Sequence, residues 1–225
     1  MAIGLVRRLR QRLAVLAIRA IQRWGPQRVR VRGKTYRVEP SVFNPKYVGT
    51  SRFMAKHIEA APDDVVLDMG TGCGIQAIVA AQTAQRVVAA DINPAAVRCT
   101  RENVAAHGLD DRVTVVQSDL FAGLDPAESF TLILFTPPYL EGTPRTPLDH
   151  ALLNPQKAIL DRFFRNAGSF LAPGGRIHVL YSSIADTSSA LIAVAERHGW
   201  QAALVASRRF LGERLTVHRF TRGRE

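Results

Sequence analysis

Apolar positions follow two regimes along the chain. From Ile3 to Trp24 they recur at helical spacing (Val6, Leu9, Leu13, Leu16, Ala20, Trp24), with Arg7, Arg8, Arg10, Arg12, Arg19 and Arg23 largely off that stripe, which predicts an amphipathic helix. Val15, Ile18 and Ile21 widen the second half of the stripe, so that half should dock on the protein body, a partner or lipid. Gly25-Pro26 ends it. Arg28 to Val38 then alternates in the strand manner about a Gly33-Lys34 turn, which predicts a small hairpin. Pro40, Asn44 and Pro45 break the pattern, and a helix from about Ser51 to Ala61 follows.

Beyond Pro62-Asp63-Asp64 the second regime begins, in which strand-length apolar runs alternate with helix-length stretches. Strands are predicted at about Val65 to Met69, Arg86 to Asp91, Arg112 to Gln117, Thr131 to Phe135 and Arg176 to Tyr181, and continuous runs such as Leu132-Ile133-Leu134-Phe135 suit parallel strands covered on both faces. A terminal pair, Gln201 to Ser207 and Arg214 to Phe220, reads as antiparallel. The chain therefore predicts an α/β fold, a Rossmann-like doubly wound mixed sheet with its last pair antiparallel, plus an N-terminal helical and hairpin extension. The boundary falls between positions 40 and 60, dividing an extension at 1–50 from a main domain at 51–225.

Composition adds little to this picture and charge adds more. At 225 residues, 47% hydrophobic and 22% charged, the chain is ordinary globular material with room for one main core. Cys73 and Cys99 lack metal-ligand spacing, so neither a zinc site nor a disulfide framework is expected, and a cytoplasmic setting fits. No apolar run is long enough for a membrane span, and no secretory signal pattern opens the chain. The net charge of +11 is uneven: residues 1–60 hold fourteen Lys/Arg against only Glu39 and Glu59. Such a segment can grip nucleic-acid phosphates, lie on anionic lipid, resemble a transit segment, or simply cap the active-site mouth.

Candidate chemistry begins at Val66-Leu67-Asp68-Met69-Gly70-Thr71-Gly72-Cys73-Gly74-Ile75, an apolar strand running into a glycine-rich turn and a helix, where open α/β sheets bind ligands. A dinucleotide fingerprint would place its third glycine at position 75, where Ile stands. Two further strands end in carboxylates, Asp91 and Asp119. An ionised carboxylate accepts strongly from ribose hydroxyls, and one can also accept from an adenine amino group. Taken singly, each reads equally well as a cap or loop charge, Asp91 before Asn93-Pro94 in particular.

Together, Asp-Met-Gly-Thr-Gly-Cys-Gly-Ile, Ala-Asp-Ile-Asn-Pro-Ala-Ala-Val, Ser-Asp-Leu-Phe and Thr-Pro-Pro-Tyr resemble a class I S-adenosylmethionine (SAM)-dependent methyltransferase over about residues 60–182. The resemblance implies a sheet of about seven strands with SAM at its carboxyl edge. It implies cofactor contacts from Asp68, Gly70, Thr71, Gly72 and Gly74, ribose contacts from Asp91, and adenine held between Ile92 and Leu120 beside Asp119. No metal is needed, because SAM arrives activated and the protein supplies alignment.

Thr136-Pro137-Pro138-Tyr139 resembles the Asn/Asp/Ser/Thr-Pro-Pro-Tyr/Phe signature of enzymes that methylate nitrogen in planar groups. Thr136 and a proline carbonyl, of Pro137 or Pro138, would accept from the acceptor N–H groups, and Tyr139 would cover the planar group; Thr136, Pro137 and Tyr139 are the expected catalytic set. The overall look is similar to release-factor glutamine methyltransferases and small methyltransferase domains. Those carry Asn where Thr136 stands, so amide recognition here falls to one hydroxyl, and the stretch from Leu140 to Pro155 lacks a Gly-Gly-x-x-Gly run. That stretch, with Glu141, Arg145, Asp149 and His150, is long enough for a substrate lid, and His150 is a candidate base. Asn44-Pro45-Lys46-Tyr47 and Thr50-Ser51 are expected near the cofactor. The reading is methyl transfer to a planar amide or amine of a protein or ribosome-related substrate. Its rivals are a small-metabolite enzyme with the N-terminal helix as lid, an RNA or DNA amine methyltransferase, and a SAM- or nucleotide-binding module without transferase activity.

Overall fold

A computed structural model describes residues 13, 16–20, 25–46, 49–184, 188–210 and 212–223. Most of the N-terminal helix read between Ile3 and Trp24 lies outside them, as does Tyr47; residues 16–20 are helical. Strands β1 (Arg28–Val31) and β2 (Lys34–Arg37) form the expected hairpin. Its turn sits one residue earlier than expected, at Arg32 and Gly33, both with positive φ (48° and 79°), the twist that a two-residue hairpin turn needs. Helix α1 (Thr50–Lys56) stops five residues short of the expected Ala61.

The main sheet is built from β3 (Val65–Met69), β4 (Arg86–Asp91), β5 (Val113–Gln117), β6 (Phe130–Phe135), β7 (Leu171–Ser182), β8 (Trp200–Phe210) and β9 (Glu213–Arg222). Their order is β5-β4-β3-β6-β7-β9-β8, parallel throughout except for β9, which lies antiparallel between β7 and β8. The final two strands are thus an antiparallel pair, as read from the sequence. β7 is longer than expected, because Leu171 already pairs with Phe130 and a register shift absorbs the intervening residues.

Helices cover both faces. On one, α2 (Ile75–Ala80) and α3 (Pro94–Ala106) pack with Val66, Leu132 and Leu134, and the hairpin's Val29, Val31 and Tyr36 join the same core. On the other, α5 (Ala158–Ala167) and α6 (Ser188–Glu196) pack on Leu67, Ile133, Phe135 and Val179 through Leu160, Phe163, Phe164 and Leu191. A short α4 (Pro147–His150) lies in the connection after β6. Alternating strand positions feed the two faces, which is why the central strands read as unbroken apolar runs. Among the described residues no helix is long and apolar enough to cross a membrane.

The edge of the sheet away from the glycine turn is pinned by one carboxylate. Asp64 accepts from both Arg176 terminal nitrogens (3.0 and 2.8 Å), from Thr131 Oγ1 (2.6 Å) and from the Ala61 N–H (2.6 Å). Burial would raise its pKa, but these donors outweigh that and the carboxyl is pushed down to about 2. The opposite edge is left to chemistry.

Candidate active site

At the carboxyl end of β3 the backbone turns under Gly70 and Thr71, whose N–H groups both donate to the Ala90 carbonyl of β4 (2.8 and 3.0 Å). Gly72 has φ of 60°, and a side chain there would meet nothing within 4 Å, because it would project into the ligand space. Gly74 has φ of 82°, and a Cβ would stand 3.0 Å from Thr100 Cγ2. Asp68 lies beneath this turn, 2% exposed, and its Oδ2 accepts from Thr71 Oγ1 (2.7 Å) and the Ala77 N–H (3.0 Å). Burial drives the Asp68 carboxyl up to about 7 against those two bonds, with the Asp91 charge adding to the rise. Both donors share one oxygen, which leaves the other to carry a proton.

Asp91, at the end of β4, is arranged differently. Its Oδ2 accepts from the Gly72 N–H and its Oδ1 from the Asn93 N–H, each at 2.9 Å. Burial raises its pKa too, but both oxygens are engaged by backbone N–H groups that favour the charged form. It does not cap α3: Asn93 does, accepting from the Ala95 N–H at 3.0 Å. Beyond Asp91 two apolar side chains flank a slot, Ile92, which is 39% exposed, and Leu120, held at φ of 51°. Ser118 fixes the latter loop by donating to the Leu120 carbonyl (2.5 Å) and accepting from the Gly123 N–H (2.8 Å). Asp119 is exposed and ion-paired with Arg162 of α5 at 2.8 Å.

Phe135 of β6 pairs in register with Met69, which brings Thr136-Pro137-Pro138-Tyr139 alongside the glycine turn. Both segments line one cavity of about 380 Å³, so Gly72 and Pro137 share a rim. Thr136 Oγ1 is enclosed and has no hydrogen-bond partner among the described residues. Tyr139 stands edge-on to Tyr181 with ring centroids 6.4 Å apart, and burial together with the nearby Glu213 charge keeps its phenol protonated. After Tyr139 the chain doubles back: the Leu140 N–H donates to the Leu152 carbonyl (3.0 Å) and the Asn154 N–H to the Leu140 carbonyl (2.8 Å). This loop closes the far wall of the cavity with Pro144, Pro147, His150 and Leu152.

Of the residues read from the sequence, Gly70, Thr71, Gly72, Asp91, Ile92, Asp119, Leu120, Thr136, Pro137, Pro138 and Tyr139 line that cavity. Asp68 and Gly74 do not; they shape the turn from behind. Thr50 and Ser51 reach it as expected, whereas Asn44 turns away to donate to the Pro26 carbonyl (2.9 Å). Phe43, Ser118 and Arg162 line it unforeseen. Ser118 had a signal, its place just before the strand-end Asp119; Phe43 and Arg162 arrive only through tertiary packing.

This strand order, with a glycine turn and a diproline bend side by side on the rim of one cavity, is that of a SAM-dependent methyltransferase. The chain belongs to the methyltransferase small domain family, which matches residues 34–203. It is 29% identical over 163 residues to a putative protein N5-glutamine methyltransferase of Methanocaldococcus jannaschii, covering 69% of this chain and 80% of that one. It is 33% identical over 180 residues to a release factor glutamine methyltransferase of Cereibacter sphaeroides, covering 73% of this chain and 63% of the relative. Among solved structures, the Mtq2-Trm112 complex of E. cuniculi gives a TM-score of 0.63 at 19% identity, covering 81% of this chain and 99% of that one. A tRNA m1G37 methyltransferase of M. jannaschii gives 0.62 at 20% identity, covering 88% and 57%. At such identities these structures speak for the fold.

Proposed function

We propose that this protein transfers the methyl group of SAM to the nitrogen of a planar amide or amine on a protein, with a translation-related protein as the substrate. The observation that carries this reading is Thr136 Oγ1, an enclosed hydroxyl without a partner among the described residues, on the same cavity as the glycine turn. A buried hydroxyl left unpaired costs on the order of 1–3 kcal/mol, so a ligand that pairs with it gains what the free site lacks. The relatives named as glutamine methyltransferases favour an amide.

The residues present fit SAM. Gly72 leaves room for close approach, Asp91 keeps lone pairs for ribose hydroxyls beyond its two backbone donors, and Ile92 and Leu120 offer two apolar surfaces for adenine, with Asp119 at its edge. SAM supplies an activated methyl group. On the acceptor side, Thr136 and the Pro137 carbonyl accept from the acceptor N–H groups and hold the nitrogen toward the methyl, and Tyr139 covers its plane. The nitrogen gains a methyl and gives up one proton, which His150 at the cavity wall is placed to receive. Residues 1–50 act as an extension to the 51–225 domain, and the two buried free cysteines suit a reducing cytoplasm.

Labelled SAM with fractionated cell extract tests this: label should enter protein and survive as an N-methylated side chain after digestion. Label confined to RNA or to small molecules would overturn it.

A second reading, contact with nucleic acid, has one observation in its favour. Arg28 and Arg30 on the outer face of the hairpin and Arg52 on α1 are exposed and close together, with Arg52 donating to the Arg30 carbonyl (3.2 Å). RNA held there should be released steeply between low and moderate salt, whereas turnover of a small acceptor should barely respond.

A further inference from the structure

The acceptor-side wall carries a buried charge that the chemistry above does not use. Asp149 in α4 has a side chain only 1% exposed. Its Oδ2 accepts from the Arg145 N–H (3.1 Å) and the Thr146 N–H (3.0 Å), and the Thr146 side chain accepts in turn from the Asp149 N–H (3.3 Å). Its Oδ1 takes the guanidinium of Arg19 at 2.9 Å, across 130 positions of sequence. Burial would raise this carboxyl, but Arg19 and the loop N–H groups hold it below the usual range. The preceding residue brings a second contact from the same segment: Ile18, 8% exposed, packs into a cluster with Leu140, Leu152 and Leu153, against which Tyr139 also rests.

We propose that Arg19 is a positioning residue for the methyl acceptor: by neutralising Asp149 it fixes the 140–154 loop, and with it Tyr139 and His150, as the acceptor wall. This rests on the reading of that wall as the acceptor side. A buried carboxylate that loses its cation keeps only the backbone N–H groups of the loop to offset its burial, so without Arg19 the balance shifts toward opening the loop to water or protonating Asp149. Asp149 faces inward and the next residue, His150, faces the cavity, so a turn of α4 moves both. Among the described residues no hydrogen bond joins the glycine turn, Asp91 or Asn93 to this network, although His150 lies near enough to Asp91 to favour its charged form. The arrangement therefore couples the basic N-terminal segment to the acceptor, while the hydrogen bonds that hold Asp91 and the glycine turn lie outside it.

The test is Arg19→Ala beside Arg19→Lys in the full chain, read three ways. Hydrogen exchange follows the Leu140, Leu153 and Asn154 amides, calorimetry measures SAM affinity, and steady-state methylation uses an acetylated glutamine-containing peptide. Arg19→Ala should speed exchange at those amides and lower kcat/KM on the peptide, each by about tenfold, with SAM affinity within about twofold. Arg19→Lys, which can still reach Oδ1, should restore most of both. Unchanged exchange would overturn the latch; faster exchange with unchanged kcat/KM would overturn the positioning role; a parallel loss of SAM affinity would reduce it to general stability. A wild-type protein inactive on the peptide sinks the amide reading separately, and the latch is then judged on exchange and on label passing into extract protein.

Discussion

Asp91, half-buried on the cavity rim, and Asp149, buried behind the cavity-lining residues of α4, are carboxylates held by different means. Asp91 takes its partners from nearby in sequence, the Gly72 N–H on the neighbouring strand end and Asn93 two residues on. Asp149 depends on Arg19, at the far end of the chain. In the proposed assignment the cofactor wall is assembled by a single strand-turn-helix unit and its neighbour, whereas the acceptor wall needs the N-terminal segment, the loop after β6 and the sheet together. A cofactor is common to many enzymes and an acceptor particular to few, so locally encoded geometry serves the first and distributed geometry the second.

The sharpest way to break this contrast is at Asp91. Asp91→Ala removes a charged acceptor and frees the Gly72 N–H as well, so SAM affinity measured by calorimetry should fall by about a hundredfold or more, since charge-assisted bonds contribute roughly 1.5–3 kcal/mol each. On the acceptor wall, Thr136→Ala with Tyr139→Ala should slow turnover by about a hundredfold with SAM affinity near normal, as when alignment in the transition state alone is lost. Intact turnover in that double variant would show that the two walls do not divide the work in this way.

Smaller effects probe the cofactor wall itself. Gly74→Ala forces a left-handed residue to carry a Cβ beside Thr100 and should cost about 2 kcal/mol in denaturant unfolding. Thr100→Ser in that background should recover the part due to the methyl clash and leave the part due to φ. The mildest test concerns pH. Asp68 has a folded pKa raised to about 7, so its contribution to stability is greatest below about pH 4 and is lost as pH rises through about 7. Asp64, on the same strand's approach, is pushed down to about 2 and contributes evenly over that window. Asp68→Asn should therefore lose stability less steeply than wild type between pH 5 and 8 (roughly the interval set by those values) in urea unfolding. The difference between the two proteins carries the signal. Buried His178, whose ring burial and the nearby Arg176 and Arg219 push down to about 4, adds a slope of opposite sign to both.

The legibility of the chain follows the same division. Strand ends, the glycine turn, Asp91, Asp119 and the diproline bend were all readable, because each is a short motif tied to one strand's carboxyl end and the parallel order lines those ends up. Asp68 reads as a ligand contact by the same logic, a strand-end carboxylate before a glycine turn; the structure adds that its Oδ2 accepts from Thr71 and Ala77 behind that turn. Phe43 and Arg162 were invisible because neither carries a local pattern that sets it apart, and their places depend on how a loop and a helix pack over the sheet. The hairpin was recognised but its turn was set one residue late, since a lysine after glycine looks as plausible there as an arginine before it.

The position of β9 carries a consequence for how the molecule is made. Among the described strands β8 pairs only with β9, and β9 follows it in the chain, so until β9 is made β8 has no partner and β7 offers an open edge that includes Val179, Leu180 and Tyr181. A nascent chain stalled before Glu213 would hold five strands in place and an open seam beside them, which makes the closing hairpin the step at which aggregation competes with completion.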